Sequence, residues 1–334
     1  MTEIGERVRQ AAEAEGFSGV VLVAQGGEPL LAESIGLANR AEGVAVEMET
    51  RFDVASAAKM FVGVAAARLV ERGMLAYETP VAGLLPSELV PRDLSPEVTV
   101  HHLLTHTSGI ADYADDDNYA EAWLDAPSYR MRRAADYAPL YVDLPRRFEP
   151  GGRFEYCGAG FILLGLAIEQ STGLTFAEAI RSEVFEPAGM SSSGYFALDE
   201  VHPRVAVGYV PGDPIRTNVF SIPVVGGPDG GAFCTAGDLD RFLRAFAAGN
   251  LVSDEARETV LTPHARDTDG WGYGYGFWLS PEDDEPLYGH SGEDPGGSAR
   301  AWHLPGRDAN VIVLSNLSAA AHVVDRMVQE TMFG

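Results

Sequence analysis

The chain has 334 residues, of which 46% are hydrophobic, and a formal net charge of −25 at pH 7. Such a chain can bury a large core, and its length fits one large domain or two ordinary ones. The acidic charge argues against nucleic acid or an anionic membrane surface as a partner. Two cysteines, Cys157 and Cys234, are too few for a disulfide framework.

Apolar runs predict strands near both ends of the chain and helices between them. In chain order we predict a helix at 3–15, strands at 19–24 and 29–37, a buried helix at 55–69, short helices and loops at 78–114, a charged helical surface region at 115–147, helices at 161–169, 176–184 and 237–247, strands at 271–279, 287–290, 299–303 and 310–314, and a helix at 319–332. Strands that flank a helical insert suggest one sheet built from both thirds of the chain. We therefore predict a single catalytic unit with two lobes.

The N-terminal segment, residues 1–16, is polar and amphipathic. It has no apolar signal-peptide core, and no apolar run elsewhere reaches the length of a membrane span. We therefore expect a cytoplasmic protein without a membrane partner. The sequence does not indicate its oligomeric state.

Lys59 is the only lysine of the chain, and it follows Ser56 by three residues. At this spacing the two side chains share one face of a helix, so the amine can reach the hydroxyl. A partly buried lysine can lose its proton and act as a base, which arginine cannot do. We therefore predict that Ser56 is a nucleophile and Lys59 its base. The alternative is a helix-capping serine followed by a lysine that reaches solvent.

A serine–lysine pair also needs a group that carries a proton to the leaving group. Tyr156 is the first candidate because it lies between a Pro-Gly-Gly turn and an apolar helix, where its phenol could project into a cleft. A core tyrosine with a satisfied hydroxyl is the alternative. His290 is the second candidate because it ends a short strand, although a histidine in a glycine-rich turn would have the same surroundings.

Stabilisation of an oxyanion requires backbone or side-chain donors close to the nucleophile. The backbone N–H of Glu293, with that of Ser56, could form this oxyanion hole. A metal is not expected, because His101, His102 and His106 do not have the spacing of a zinc-binding motif. We therefore expect no metal and no other cofactor.

Together these motifs resemble those of the class C β-lactamases and DD-peptidase-like serine hydrolases, a superfamily that includes family VIII esterases and some acyltransferases. Ser56-Ala57-Ala58-Lys59 matches the first motif of the superfamily. Tyr156-Cys157-Gly158 stands in the place of Tyr-x-Asn, and His290-Ser291-Gly292 stands in the place of Lys-Thr-Gly or His-x-Gly. Supporting matches are Leu103 to Gly109, Pro150 to Phe154, Glu186 to Met190, Gly230-Gly231 and Thr235 to Leu239.

The resemblance implies an α+β fold of the β-lactamase/transpeptidase type. An α/β lobe with a central antiparallel sheet flanked by helices would comprise residues 1–78 and 225–334, and a mainly helical lobe residues 79–224. The resemblance also implies Ser56 as nucleophile, Lys59 as base and Tyr156 as proton shuttle. His290 would complete the catalytic set, and Gly158, Ser291, Gly292 and Glu293 would contact substrate or oxyanion in the cleft between the lobes.

Two departures from the family motifs bear on the substrate. Gly158 replaces an asparagine, and the loss of its hydrogen bond to a substrate amide should weaken amide and β-lactam substrates more than esters. His290 replaces a lysine, so the cation that would meet a substrate carboxylate is weaker and depends on pH. We therefore expect a hydrolase of small-molecule ester or amide substrates that acts through a Ser56 acyl-enzyme and has weak β-lactam activity.

Three alternatives stay open at this point. The first is a true β-lactamase or D-Ala-D-Ala carboxypeptidase. The second is a transacylase, which differs only in the acceptor that deacylates the enzyme. The third is a non-catalytic ligand-binding relative; Gly158 favours it, whereas the retention of the sole lysine, Lys59, disfavours it.

Overall fold

The computed structural model describes residues 3–14, 16–113, 126–281 and 286–333. The strands are β1 Gly19–Gln25, β2 Glu28–Ile35, β3 Leu37–Asn39, β4 Val44–Ala45, β5 Phe52–Asp53, β6 Tyr209–Val210, β7 Arg216–Thr217, β8 Phe233–Cys234, β9 Ala265–Arg266, β10 Gly272–Tyr273, β11 Trp278–Leu279, β12 Tyr288–Asp294, β13 Gly297–Leu304 and β14 Ala309–Ser315. The helices are α1 Glu3–Ala14, α2 Lys59–Glu71, α3 Val100–Leu104, α4 Ala138–Tyr141, α5 Gly158–Thr172, α6 Phe176–Ile180, α7 Glu186–Ala188, α8 Ala236–Ala247, α9 Asp254–Val260 and α10 Ala320–Phe333.

The main sheet has eight strands in the order β2-β1-β14-β13-β12-β11-β10-β9. All its pairs are antiparallel, and β1 joins the two ends of the chain because it pairs along its whole length with β14. One sheet is thus built from both ends of the chain, as predicted, and the α+β class is confirmed. The lobe boundaries at residues 78 and 225 stay predictions.

The sheet is covered on both faces, as β1 illustrates. Val20 and Leu22 contact the large core that includes α2, α5 and α8. Val21 and Val23 contact a smaller core under α1 and α10. Because successive strand residues face opposite sides, a strand buried on both faces needs an unbroken apolar run.

Helix α2 is buried along most of its length, as its apolar sequence predicts. The Phe61 ring packs edge-on against Phe185 and Phe242, with centroids 5.1 and 4.9 Å away. The helix begins at Lys59, whereas Ser56 lies in a preceding 3₁₀ turn, Ala55–Ala58. The nucleophile therefore sits on a tighter turn than a plain helix would provide.

The prediction of one continuous strand at 271–279 is wrong. Two short strands, β10 and β11, pair with each other around a turn at Gly274–Gly276. A Cβ on Gly274 would lie 2.1 Å from the Val260 carbonyl oxygen, and Gly276 has φ +81°. Close backbone packing and a left-handed turn thus explain the glycines.

The prediction of a helical surface region at 115–147 falls partly on residues 114–125, which lie outside the described residues. From residue 126 onwards the segment forms the 3₁₀ turns Ser128–Arg130 and Ala134–Tyr137 and the short helix α4. Tyr137 and Tyr141 are buried in the large core and not on the surface.

The predicted helix at 176–184 is interrupted: α6 ends at Ile180, and a π turn follows at Arg181–Phe185. Within the described ranges, no helix is by itself long and apolar enough to cross a membrane. One pair, Gly158–Thr172 with Phe176–Ala188, reaches that length and composition only jointly, across a bend of 77°.

Candidate active site

A cavity of about 590 Å³ opens beside the 3₁₀ turn that carries Ser56. Its wall brings together five of the predicted site residues, namely Ser56, Lys59, Tyr156, Gly158 and Glu293. We call this cavity the cleft. His290, Ser291 and Gly292 do not line it, so residues of the first two motifs, and Glu293 directly after the third, face the same space.

The Ser56 turn has an uncommon backbone conformation. Ala55 is left-handed, with φ +47°, which is costly for a residue that has a Cβ. The Ala55 N–H donates to Asp53 Oδ1 at 2.8 Å, and the Ala55 carbonyl accepts from the Gly231 N–H at 3.3 Å. Two hydrogen bonds thus hold the backbone of Ala55, next to the nucleophile, in this conformation.

Lys59 is 1% exposed, and its amine donates to Ser56 Oγ at 3.0 Å and to the backbone oxygen of Asp229. Burial acts to lower the pKa of Lys59, but its interactions with Tyr156, Asp229 and Asp112 together raise the pKa above its ordinary value. The structure thus differs from the expectation that burial removes the proton from Lys59. The resting amine is an ammonium group hydrogen-bonded to the nucleophile.

Tyr156 is held in a wall of aromatic rings. Its ring lies 4.2 Å from His106 and stacks on Trp278 at 6.2 Å with an angle of 6° between the planes. The Lys59 amine lies 5.0 Å from the centre of the ring. The Tyr156 hydroxyl is buried and meets no full hydrogen-bond geometry among the described residues, although its interaction with the Lys59 amine contributes to the raised pKa of Lys59. Because buried hydroxyls are normally paired, this one is available to a reacting group.

His106 contacts Tyr156 through its ring and the backbone of Cys157 through its Nδ1. Its Nδ1 accepts from the backbone N–H of Cys157 at 3.0 Å, and its backbone is left-handed, with φ +56°. Burial, then the positive charge of Lys59, lowers the pKa of His106 well below its ordinary value, so the ring is neutral. The sequence places this histidine in a family loop but does not reveal its contact with the tyrosine.

Gly158 is the first residue of α5, and its surroundings are acidic. The Gly158 N–H donates to Asp112 Oδ2 at 2.8 Å, and the Ala159 N–H donates to Oδ1 at 3.3 Å. A Cβ on Gly158 would lie 3.4 Å from oxygens of both Asp112 and Asp229. The space next to the missing asparagine therefore faces two carboxylates.

Sequence reasoning missed both of these acids. Asp229 Oδ2 accepts from the Tyr113 hydroxyl, and burial raises the pKa of Asp229 while Lys59 opposes the rise. Asp229 directly precedes Gly230 and Gly231, and that adjacency is the only signal for it in the sequence. Asp112 has no such signal, because only the folded chain brings it to α5.

His290 is not among the residues that line the cleft and is 1% exposed. Its Nδ1–H donates to the Ser291 carbonyl, which leaves Nε2 to accept from the Tyr273 hydroxyl at 3.1 Å. Burial, with a further contribution from Lys59, lowers the pKa of His290 to about 3. The ring is therefore neutral near pH 7. This differs from the expectation that His290 is a cation that binds a substrate carboxylate.

The rest of the third motif supports the nucleophile. A Cβ on Gly292 would lie 2.9 Å from the Ser56 nitrogen and 2.1 Å from the Val54 carbonyl oxygen, so β12 packs directly on the nucleophile turn. Ser291 pairs with Arg300 on β13, and Glu293 follows at the rim of the cleft. An oxyanion hole formed by the N–H groups of Ser56 and Glu293 stays a prediction.

The wall of the cleft is rich in acidic residues. Among the described residues that line it, Lys59 is the only lysine or arginine, whereas five are acidic: Asp53, Asp112, Asp229, Glu293 and Asp294. Burial raises the pKa of Asp53, Asp229 and Asp294, and the acids that stay ionised repel a substrate that carries a carboxylate.

The comparison with known proteins agrees with this architecture. The sequence model of the Beta-lactamase family matches residues 4–329. Penicillin-binding protein 4* of Bacillus subtilis (strain 168) is 28% identical over 92% of this chain and 72% of its own length. Esterase EstB of Burkholderia gladioli is 32% identical over 80% of this chain and 76% of its own length.

Among solved structures, the penicillin-binding protein from Bacillus halodurans superposes with a TM-score of 0.91. It is 38% identical, and the match covers 99% of this chain and 100% of that one. The order of the motifs, the fold and the cleft thus lead to one assignment. The chain belongs to the Beta-lactamase family and is a serine hydrolase.

Proposed function

We propose that this enzyme hydrolyses small ester or amide substrates through an acyl-enzyme on Ser56 and acts poorly on β-lactams. The observation that carries the proposal is the contact of 3.0 Å between Lys59 Nζ and Ser56 Oγ, in a cleft that also contains Tyr156. A hydroxyl within hydrogen-bond reach of an amine, beside a second proton carrier, is the arrangement that nucleophilic catalysis needs.

In acylation, Ser56 Oγ forms a bond to the acyl carbon. Its proton passes to Lys59 as Lys59 gives one of its own to the Tyr156 oxygen, and the Tyr156 hydroxyl protonates the departing alcohol or amine. This exchange is consistent with the raised pKa of Lys59, because the lysine stays an ammonium before and after the step. In deacylation a water attacks the acyl carbon and the bond from that carbon to Ser56 Oγ breaks; a proton of the water passes to the Tyr156 oxygen as Tyr156 gives its own to Lys59 and Lys59 gives one to Ser56 Oγ, so all three groups return to their starting states.

The discrimination against β-lactams rests on charge. Penicillins and cephalosporins carry a carboxylate, and neither His290 nor an arginine presents a cation to it on the described wall of the cleft. Those of the five acidic residues of that wall that are ionised near pH 7 oppose its binding. The carboxylates beside Gly158 also accept hydrogen bonds but cannot donate one to a substrate amide carbonyl, as an asparagine would.

The test compares initial rates on 4-nitrophenyl butyrate and on a chromogenic cephalosporin, with Ser56→Ala as the control. We expect ester turnover that is lost in Ser56→Ala, and a kcat/KM for the cephalosporin lower by a factor of about 10³, on the order seen when a site lacks a required polar partner. Cephalosporin turnover faster than ester turnover would overturn the proposal. If Ser56→Ala retained both activities, an acyl-enzyme on Ser56 would be excluded.

A further inference from the structure

A second cavity of about 490 Å³ adjoins the cleft. The two share part of their walls, namely Asp53, Phe196 and Phe233. We call the second one the side cavity. Because Asp53 is only three residues before Ser56, a substrate attached at the nucleophile could extend past Asp53 into this space.

Two buried acceptor atoms in the wall of the side cavity have no donor. Asp53 is 7% exposed, and its Oδ2 has no hydrogen-bond partner, although Oδ1 accepts from Ala55. Asn316 is 3% exposed; its Nδ2 donates to the carbonyls of Leu37 and Val207, and its Oδ1 has no partner. A buried acceptor without a donor costs free energy, so each atom indicates a donor that the protein itself does not supply.

The charge around Asp53 indicates what kind of donor is missing. Asp294 also lines the cleft, and burial, together with the neighbouring Asp53 carboxylate, raises the pKa of Asp294 well above its ordinary value. Burial raises the pKa of Asp53 to about 6, so near neutral pH the group is a buried anion. Among the described residues that line the side cavity, His202 is the one basic residue, and its Nε2 lies 3.4 Å from a carboxylate oxygen of Glu200. A buried anion is stable when it is paired with a cation.

A metal ion does not fit this position. Within the described ranges, no three His, Cys, Asp or Glu side chains are grouped to hold one. An ammonium group fits better, because it needs only one carboxylate and two or three further acceptors. Asp53 Oδ2 and Asn316 Oδ1 are unpaired acceptors of two residues that line the side cavity.

We propose that the substrate carries a primary ammonium group that binds Asp53 where the cleft meets the side cavity. This inference rests on the proposed function, because it takes the acyl group to be attached at Ser56. It names the substrate class as amino-substituted esters or amides. Asn316 Oδ1 then receives N–H groups of the same substrate within the side cavity.

The test measures binding to the Ser56→Ala protein, which cannot turn the ligands over. Isothermal titration near neutral pH would compare 6-aminohexanamide with heptanamide, which has a methyl group in place of the ammonium. We expect 6-aminohexanamide to bind about tenfold more tightly, as for one charge-assisted hydrogen bond. In Ser56→Ala with Asp53→Asn, which retains the acceptor for the Ala55 N–H, the preference should disappear.

The matched control combines Ser56→Ala with Asp254→Asn. This change removes the same charge from α9, where Asp254 is exposed and paired with Arg257, and the preference should persist. Equal affinity for the two amides in the Ser56→Ala protein would overturn the inference, and so would an undiminished preference after Asp53→Asn.

Turnover separates this inference from the proposed function. The unmodified enzyme would be assayed on 4-nitrophenyl 6-aminohexanoate and 4-nitrophenyl heptanoate. Ser56-dependent hydrolysis of both esters without a binding preference overturns the ammonium site and leaves the hydrolase in place. A binding preference without hydrolysis of either ester supports the ammonium site and overturns the proposed function.

Discussion

Lys59 and His290 are two buried nitrogen bases of one site, and their charge states are opposite. Each is 1% exposed, and burial acts to lower the pKa of both. Lys59 nevertheless keeps its proton because Tyr156, Asp229 and Asp112 surround it. His290 loses its proton because its charged neighbours are Lys59 and Arg300, both cations.

The difference teaches that the sign of the neighbouring charges, and not burial alone, decides the charge of a buried base. The acidic side of the cleft holds an ammonium group against the nucleophile. On the other, aromatic side, the His290 ring is neutral, and its Nε2 accepts a hydrogen bond from the Tyr273 hydroxyl. Substitutions on the two sides should therefore have different effects on activity and stability.

The largest effect is expected on the acidic side. Lys59→Met should lower kcat/KM for 4-nitrophenyl butyrate by about 10⁴, because both the proton exchange and the positive charge are lost. It should also lower the free energy of unfolding by about 3 kcal/mol, because Asp229 and Asp112 lose their counter-charge. Steady-state kinetics and urea unfolding measure the two effects.

Ser56→Ala is the control for this change, since it should abolish activity and alter stability by less than about 1 kcal/mol. Lys59→Arg keeps the charge but cannot give up a proton, so it should recover stability more than activity. A Lys59→Met protein as stable as the wild type would contradict the electrostatic account of the acidic side.

The second effect concerns Tyr156, which lies between the two sides. Tyr156→Phe should lower kcat by about 10² with little change in KM, because it removes a proton carrier and keeps the ring. The free energy of unfolding of the variant should change little, since the hydroxyl meets no full hydrogen-bond geometry among the described residues. Tyr141→Phe removes a hydroxyl that donates to the Leu89 carbonyl at 2.9 Å outside the cleft, and should leave kcat unchanged. Equal losses of kcat in the two variants would refute the role of Tyr156.

Local sequence patterns were sufficient for the serine, the lysine and the tyrosine of the cleft, because each lies in a short motif whose spacing has a chemical reason. The two-ended sheet was also predictable, since strands buried on both faces require unbroken apolar runs. The acids Asp112 and Asp229 were not predictable, because their meeting at Gly158 depends on contacts between distant segments. The neutral state of His290 likewise depends on neighbours that only the fold provides.

The third effect is a pH dependence of stability on the aromatic side. The pKa of His290 falls from 6.5 to about 3 in the folded protein, so between these values the unfolded chain binds the proton and the folded protein does not. The contribution of neutral His290 to the free energy of unfolding is fully present above pH 6.5 and is lost as the pH falls toward 3. Between pH 7 and pH 5, the free energy of unfolding of His290→Asn should therefore fall by about 2 kcal/mol less than that of the wild type, as measured by urea unfolding. Parallel pH profiles of the two proteins would show that His290 is charged in the fold.

The smallest effect concerns Asp53, whose pKa rises from 3.8 to about 6 on folding. Here the folded protein binds the proton first, so the contribution to stability is present below pH 3.8 and is lost as the pH rises through 6. Asp53→Asn should be more stable than the wild type by about 1 kcal/mol near pH 8 and no more stable near pH 4. Thermal unfolding at the two pH values tests the prediction, and a variant that is less stable at pH 8 would contradict it.

The most direct test of the central claim is to trap the acyl-enzyme. The protein would be mixed with 4-nitrophenyl butyrate, quenched in acid within milliseconds, and its peptides identified by mass spectrometry. We predict a butyryl group on the peptide that contains Ser56, absent in Ser56→Ala and longer-lived in Tyr156→Phe. A butyryl group on another residue, or turnover that persists in Ser56→Ala, would contradict the account.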